Sequence, residues 1–100
     1  SCIEVEDAIY AHDDIGECSV FGLADERFGE VPAAVVRAKD GRPALSPEAV
    51  REFLLGRIAP FKVPLAQHIW IADEALPRLG TQKIDKRSVK ARYSEARVAA

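Results

Sequence analysis

The sequence predicts an α+β fold in which a small three-stranded sheet, mixed or antiparallel, is covered by helices in the order α-β-β-α-β-α. Two observations lead to this prediction. Apolar residues alternate in the segments assigned to strands and recur every three or four residues in those assigned to helices. Short loops rich in Gly, Pro and Asp separate the segments. A length of 100 residues suits one domain, residues 1–100, but not a whole nucleotide-binding enzyme with its own substrate pocket.

The first three elements are predicted within residues 3–39. Helical spacing predicts a helix over about residues 3–12, with its apolar stripe at Val5, Ala8, Ile9 and His12. Residues 18–23 predict a strand, and the turn-rich residues 25–30 separate it from a second strand at 31–39. In this second strand Ala34, Val36 and Ala38 share one face, and Val35, Arg37 and Lys39 the other. The simplest pairing of the two strands is antiparallel.

The last three elements follow a break at residues 40–43. Ser46-Pro47-Glu48 is a helix start, with a hydroxyl cap, a proline at the first helical position and an acid in the first turn. That helix is predicted to run to about Ile58, ahead of Pro60. Residues 68–72 predict the third strand. A final helix begins after the cap residue Asp85, and its core face is predicted at Val89, Tyr93 and Ala96.

Composition and charge restrict the function classes. The net charge is −2, but residues 1–30 carry nine acids and one base, whereas residues 78–92 carry six bases and one acid. This asymmetry predicts an anionic partner near the C-terminal end. Nucleic acid is not expected, because Tyr93 is the only aromatic residue among those bases. No apolar run approaches the ~20 residues of a membrane span, and two cysteines without metal-ligand spacing predict free thiols in the cytoplasm and no metal site.

Three features carry candidate chemistry. Lys83 lies in a Gly- and Pro-punctuated loop, from which a compact cation can neutralise phosphate or carboxylate oxygens; the alternative is a solvated loop lysine. Lys86 and Arg87 oppose the dipole at the start of the last helix, which an anionic neighbour would explain; the alternative is a tolerated surface mismatch. Gly22 and Gly29 allow close approach of another surface or a thin ligand; the alternative is a wide hairpin loop.

The run from Leu76 to Arg87, Leu-Pro-Arg-Leu-Gly-Thr-Gln-Lys-Ile-Asp-Lys-Arg, resembles the C-terminal lysine motif of the adenylate-forming enzymes, which include acyl-CoA synthetases, adenylation domains and luciferases. Three further motifs of that family occur in the right order: Glu4-Val5-Glu6, the hairpin from Val20 to Pro32, and Ala59-Pro60-Phe61-Lys62-Val63-Pro64. The residues around this last motif are most similar to fatty-acyl-CoA synthetases. One departure is Gln82, which stands where the family usually has glycine.

The resemblance implies a two-step reaction. A carboxylate, here expected to be a fatty acid, attacks Mg²⁺-ATP to give an acyl-adenylate, and coenzyme A then displaces AMP while the small C-terminal domain rotates. It implies that Lys83 acts in the first step and that Gly22, Gly29 and Glu30 line the passage for coenzyme A in the second. Arg78, Gln82, Lys86 and Arg87 are candidate anion contacts.

The resemblance also implies a partner, an N-terminal AMP-binding domain joined by a hinge, both of which are expected to precede Ser1. The isolated chain is therefore expected to bind no cofactor and to be inactive alone. The alternative function is a stand-alone α+β interaction module that binds an acidic partner through its basic C-terminal face.

Overall fold

The computed structural model describes the backbone of residues 1–99 and the side chains of residues 1–94. The chain forms, in order, α1 (Cys2–Tyr10), β1 (Ile15–Asp25), β2 (Gly29–Ala38), α2 (Pro47–Leu55), β3 (Ile69–Ile71) and α3 (Lys86–Ala99). Two short 3₁₀ turns, Pro60–Lys62 and Ala66–His68, connect α2 to β3. The predicted order α-β-β-α-β-α is thus confirmed. The predicted core contact of Ala96 lies outside the described side chains.

Several predicted boundaries were wrong by a few residues. The helix α1 ends at Tyr10, two residues early, because the chain turns through Ala11 and His12 to enter β1. The helix α2 ends at Leu55 instead of Ile58, since Gly56 caps it and both Arg57 and Ile58 donate their amides to one carbonyl. Both hairpin strands are longer than predicted toward the turn, because pairing continues as far as Asp25 and Gly29.

The sheet has the order β1-β2-β3 and is mixed. β1 and β2 are antiparallel, as predicted, whereas β3 runs parallel to β2. The middle strand β2 is covered on both faces. Its residues Ala33, Ala34, Val35 and Val36 are completely buried. Such burial explains an apolar run of four residues at the centre of a strand that otherwise alternates.

The two faces of β2 belong to two separate cores. Ala34 and Val36 pack with apolar side chains of α1 and α2, among them Ile9 and Leu54. Val35, on the opposite face, belongs to a second cluster with Phe21, Leu76 and Val89, so that face is covered by α3 and by the segment before it. The face assignment predicted from the alternation is confirmed. The segment that carries Lys83 is consequently attached to a packed layer and does not extend freely into solvent.

Candidate functional site

The lysine loop is a short hairpin, and Lys83 is the first residue after its turn. Arg78 and Ile84 form an antiparallel bridge, and the Leu79 amide donates to the Lys83 carbonyl at 2.8 Å. Gly80, Thr81 and Gln82 form the turn, which the Gln82 amide closes by donating to the Leu79 carbonyl at 2.9 Å. The Lys83 side chain is exposed. The loop backbone is thus held by hydrogen bonds while the lysine side chain is exposed, and the catalytic role of Lys83 stays a prediction.

Gln82 adopts a left-handed backbone conformation, with φ of 73°. The third residue of a three-residue hairpin turn commonly takes this conformation, and glycine takes it without strain. The position that the family usually fills with glycine therefore demands positive φ, and here a glutamine meets that demand. The departure from the family pattern leaves the turn intact.

Arg78 links the lysine loop to the sheet. Its Nη1 donates to the Gln82 carbonyl at 2.6 Å, and its Nη2 contacts Oε2 of Glu17 in β1 at 2.6 Å. Oε1 of Glu17 accepts the Leu76 amide at 3.1 Å, at the start of the same segment. Arg78 was predicted as a possible anion contact. Two of its guanidinium nitrogens already bind the Gln82 carbonyl and the Glu17 carboxylate of the chain itself.

The start of α3 contains the other predicted cations. Asp85 caps the helix by accepting the Ser88 amide and hydroxyl, and hydrogen bonds from Ser88 lower the pKa of its carboxyl. Lys86 Nζ lies 3.0 Å from Oε2 of Glu6 in α1. The sequence left two explanations for Lys86, an anionic neighbour or a tolerated surface mismatch, and Glu6 of the chain itself is such a neighbour. Arg87 is exposed on the same first turn.

Glu6 has a second role, at the open edge of the sheet. Its Oε2 accepts the Val20 amide at 2.8 Å, and the Tyr10 hydroxyl accepts the Cys18 amide at 3.0 Å. Side chains of α1 thus occupy amides on the free edge of β1 that would otherwise invite pairing with another strand. Burial raises the pKa of the Cys18 thiol to about 12, so this thiol stays protonated near neutral pH.

The hairpin between β1 and β2 contains the other predicted site residues. Gly29 has φ of 78°, and a side chain added there would meet open space. At Gly22 an added Cβ would instead overlap the carboxyl group of Glu30, which lies across the strand where Gly22 has no side chain. Gly29 thus combines a positive φ with open space beside it, and the lack of a side chain at Gly22 makes room for the Glu30 carboxylate.

The lysine and the hairpin carboxylate line different clefts. Lys83, Arg78 and Lys86 border an open cleft of about 310 Å³ whose floor includes Ser19. Glu30 borders an apolar cleft of about 400 Å³ next to Phe61, whose side chain is 80% exposed. The structure thus groups Lys83 with the basic residues and places the hairpin residues on another surface.

Sequence reasoning missed Glu17 and Glu6 as determinants of this site. Glu17 could have been noticed as an acid inside a run of strand residues, since a buried carboxylate needs charged or hydrogen-bonding partners. Its partner could not have been named, because Arg78 is 61 positions away. Within the described part of the chain, no three His, Cys, Asp or Glu side chains cluster in a way that could hold a metal ion.

The chain is similar to known proteins over most of its length. The chain matches the family of AMP-binding enzyme C-terminal domains over residues 4–83. It is 42% identical over 89 residues to a 2-succinylbenzoate–CoA ligase of Geobacillus kaustophilus, covering 87% of this chain and 17% of the ligase. It is 29% identical over 99 residues to a malonate–CoA ligase of Arabidopsis thaliana, covering 90% of this chain and 16% of that protein.

Solved structures of known proteins also superpose on most of this chain. A Mycobacterium tuberculosis fatty acyl CoA synthetase superposes with a TM-score of 0.77 at 34% identity, over 93% of this chain and 18% of that one. Apo MatB from Rhodopseudomonas palustris superposes with a TM-score of 0.80 at 29% identity, over 96% and 18%.

The fold and the lysine loop define the small domain of an adenylate-forming enzyme. The chain belongs to the AMP-binding enzyme C-terminal domain family. It spans about a sixth of the length of the relatives it matches. Among the described residues, no helix is long and apolar enough to cross a membrane.

Proposed function

We propose that this chain is the mobile C-terminal domain of an ATP-dependent acid–CoA ligase and acts together with an N-terminal AMP-binding domain. The observation that carries the proposal is the exposed Lys83 next to the turn of a hydrogen-bonded hairpin, within a domain that matches this family over residues 4–83. The chain alone supplies half of an active site and is inactive. The complete protein uses a carboxylic acid, ATP with Mg²⁺ and coenzyme A as substrates, in the cytoplasm.

Lys83 is the catalytic residue of the first half-reaction. The attacking carboxylate and the α-phosphate are both anionic, so their approach is opposed by charge repulsion. A cation held between them lowers that repulsion as the new bond forms. Removal of one such preorganised contact typically costs on the order of 10²–10³ in rate. Gln82 and Arg87 lie on the same loop and on the first turn of α3, where they serve as additional contacts to substrate oxygens.

The hairpin serves the second half-reaction. After rotation of the domain, Gly22, Gly29 and Glu30 line the passage through which coenzyme A reaches the acyl-adenylate. Support comes from the open space beside Gly29 and from the clefts that Glu30 borders. Because Lys83 and Glu30 line different clefts, a rotation is needed to bring each in turn to the reacting atoms.

The decisive experiment measures the two half-reactions separately in the complete protein. Lys83→Ala should slow acyl-adenylate formation by a factor on the order of 10²–10³, while thioester formation from supplied acyl-adenylate stays near normal. The matched control is Lys90→Ala, which removes an exposed lysine from α3 and should leave both rates unchanged. Near-normal adenylation by Lys83→Ala would show that Lys83 is only a solvated loop residue.

The acid is proposed to be a fatty acid, as the residues around positions 57–64 suggested. The similarity to a fatty acyl CoA synthetase at 34% identity supports this class, although relatives named for succinylbenzoate and malonate match as well. Adenylation assays with a panel of fatty, aromatic and dicarboxylic acids test the proposal. A preference for either of the last two classes would refute it.

A further inference from the structure

Glu17 of β1 forms an ion pair with Arg78, which also binds the lysine loop. The side chain of Glu17 is 9% exposed and that of Arg78 is 43% exposed. The Glu17 carboxylate contacts three groups, namely the Leu76 amide, Arg78 Nη2 at 2.6 Å and, more distantly, Arg37 Nη1 at 3.7 Å. These contacts hold the buried Glu17 carboxylate in one position on the sheet.

The second arm of the Arg78 guanidinium reaches the loop itself. Nη1 donates to the carbonyl of Gln82 at 2.6 Å, and this carbonyl belongs to the peptide group that joins Gln82 to Lys83. The guanidinium is planar and its nitrogens have fixed relative positions, so it fixes a distance between the two groups that it binds. A continuous polar connection therefore runs from the first part of β1 to the backbone of Lys83.

We propose that Glu17 and Arg78 are positioning residues that set the location of Lys83 for adenylation. The inference rests on the proposed function of Lys83. Lysine is flexible along its four-carbon stem, so its backbone must be well placed for the ammonium group to reach the reacting oxygens. A displacement of about 1 Å in a catalytic group can cost on the order of 10²-fold in rate. Arg78 thus acts through Lys83 and not by touching the substrate.

The first test compares three variants of the complete protein. Arg78→Gln and Glu17→Gln should each slow adenylate formation at least about tenfold, within the range expected for misplacement of a catalytic group. Thioester formation from supplied acyl-adenylate should change less than twofold for both. The control is Arg37→Gln, because Arg37 contacts the same carboxylate but has Asp40, and not the lysine loop, as its other ion-pair partner; it should leave both half-reactions unchanged.

The unfolding transition of each variant is measured first. If Arg78→Gln does not fold because the buried Glu17 carboxylate keeps only the more distant Arg37 as a charged partner, Glu17→Gln decides the question, since solvent reaches the half-exposed Arg78 guanidinium. Equal losses in the two half-reactions, or an equal loss in Arg37→Gln, would overturn the proposal by showing a general effect on the fold.

A double variant separates positioning from direct contact. If Arg78 acts only through Lys83, then Lys83→Ala combined with Arg78→Gln should adenylate no more slowly than Lys83→Ala alone. A further tenfold loss would mean that Arg78 contacts the substrate itself, and would refute the inference. Failure of the proposed function is distinguishable, since Lys83→Ala would then keep its adenylation rate. Loss in Lys83→Ala with normal Arg78→Gln would refute the positioning pair alone.

Discussion

Gln82→Gly should make the domain more stable. Gln82 is the one residue other than glycine with positive φ among the described residues, and its φ of 73° lies in the left-handed region. That conformation costs an L-residue about 1–2 kcal/mol relative to the right-handed one, because Cβ approaches the following carbonyl oxygen. Glycine has no Cβ and does not incur this cost.

The gain is partly offset in the unfolded state. A glycine gives the unfolded chain more freedom, which lowers the free energy of unfolding by about 0.4–1 kcal/mol. At the midpoints of these two ranges, the net stabilisation is about 0.8 kcal/mol. For a domain of this size, that corresponds to a rise in Tm of about 3–6 °C.

Thermal and urea unfolding of the chain measure this change, and Thr81→Gly is the matched control. Thr81 lies in the same turn without positive φ, so its replacement gains nothing in the folded state and should lower stability by about 0.4–1 kcal/mol. Equal destabilisation by both changes would refute the reasoning. It would show that Gln82 is not strained, or that its side chain contributes contacts that outweigh the strain.

Three other expectations concern the hairpin, the thiols and the sheet edge. If Gly29 lines the coenzyme A passage, Gly29→Asn and Gly29→Val should both slow thioester formation and spare adenylation; loss in Gly29→Val alone would assign the position to the turn, since Asn tolerates positive φ. A thiol reagent at pH 8 should modify the exposed Cys2 in the native chain and Cys18 only after unfolding. Because the pKa of Cys18 is raised from 9.0 to about 12, its contribution to stability is complete below pH 9 and is lost as pH rises toward 12, which unfolding at several pH values can follow. Glu6→Ala should lower the free energy of unfolding in urea by about 1–3 kcal/mol, because the Val20 amide loses its acceptor. Glu6→Gln keeps an acceptor oxygen and should lower this free energy less.

Much of the local structure could be predicted because its determinants lie within a few residues of one another. Ser46 caps α2 by accepting the Ala49 amide, and Asp85 caps α3 by accepting the Ser88 amide, both at a separation of three residues. The apolar periods that predict helix and strand have equally short range. End points were less predictable, since the length of β1 depends on how far β2 continues to pair with it.

The candidate site likewise has some features set by neighbouring residues and others set by residues far apart in the chain. The placement of Lys83 in a loop before a capped helix could be predicted, because the turn and the cap residues are adjacent to it. Three features became visible only in the folded chain: β3 is parallel to β2, Glu6 joins the edge of β1 to Lys86, and Glu17 holds Arg78. The contacts of these two glutamates are long-range: Glu17 and Arg78 are 61 residues apart, and Glu6 and Lys86 are farther apart still. They form only when two core layers pack on opposite faces of one sheet, and no local pattern of residues encodes that packing.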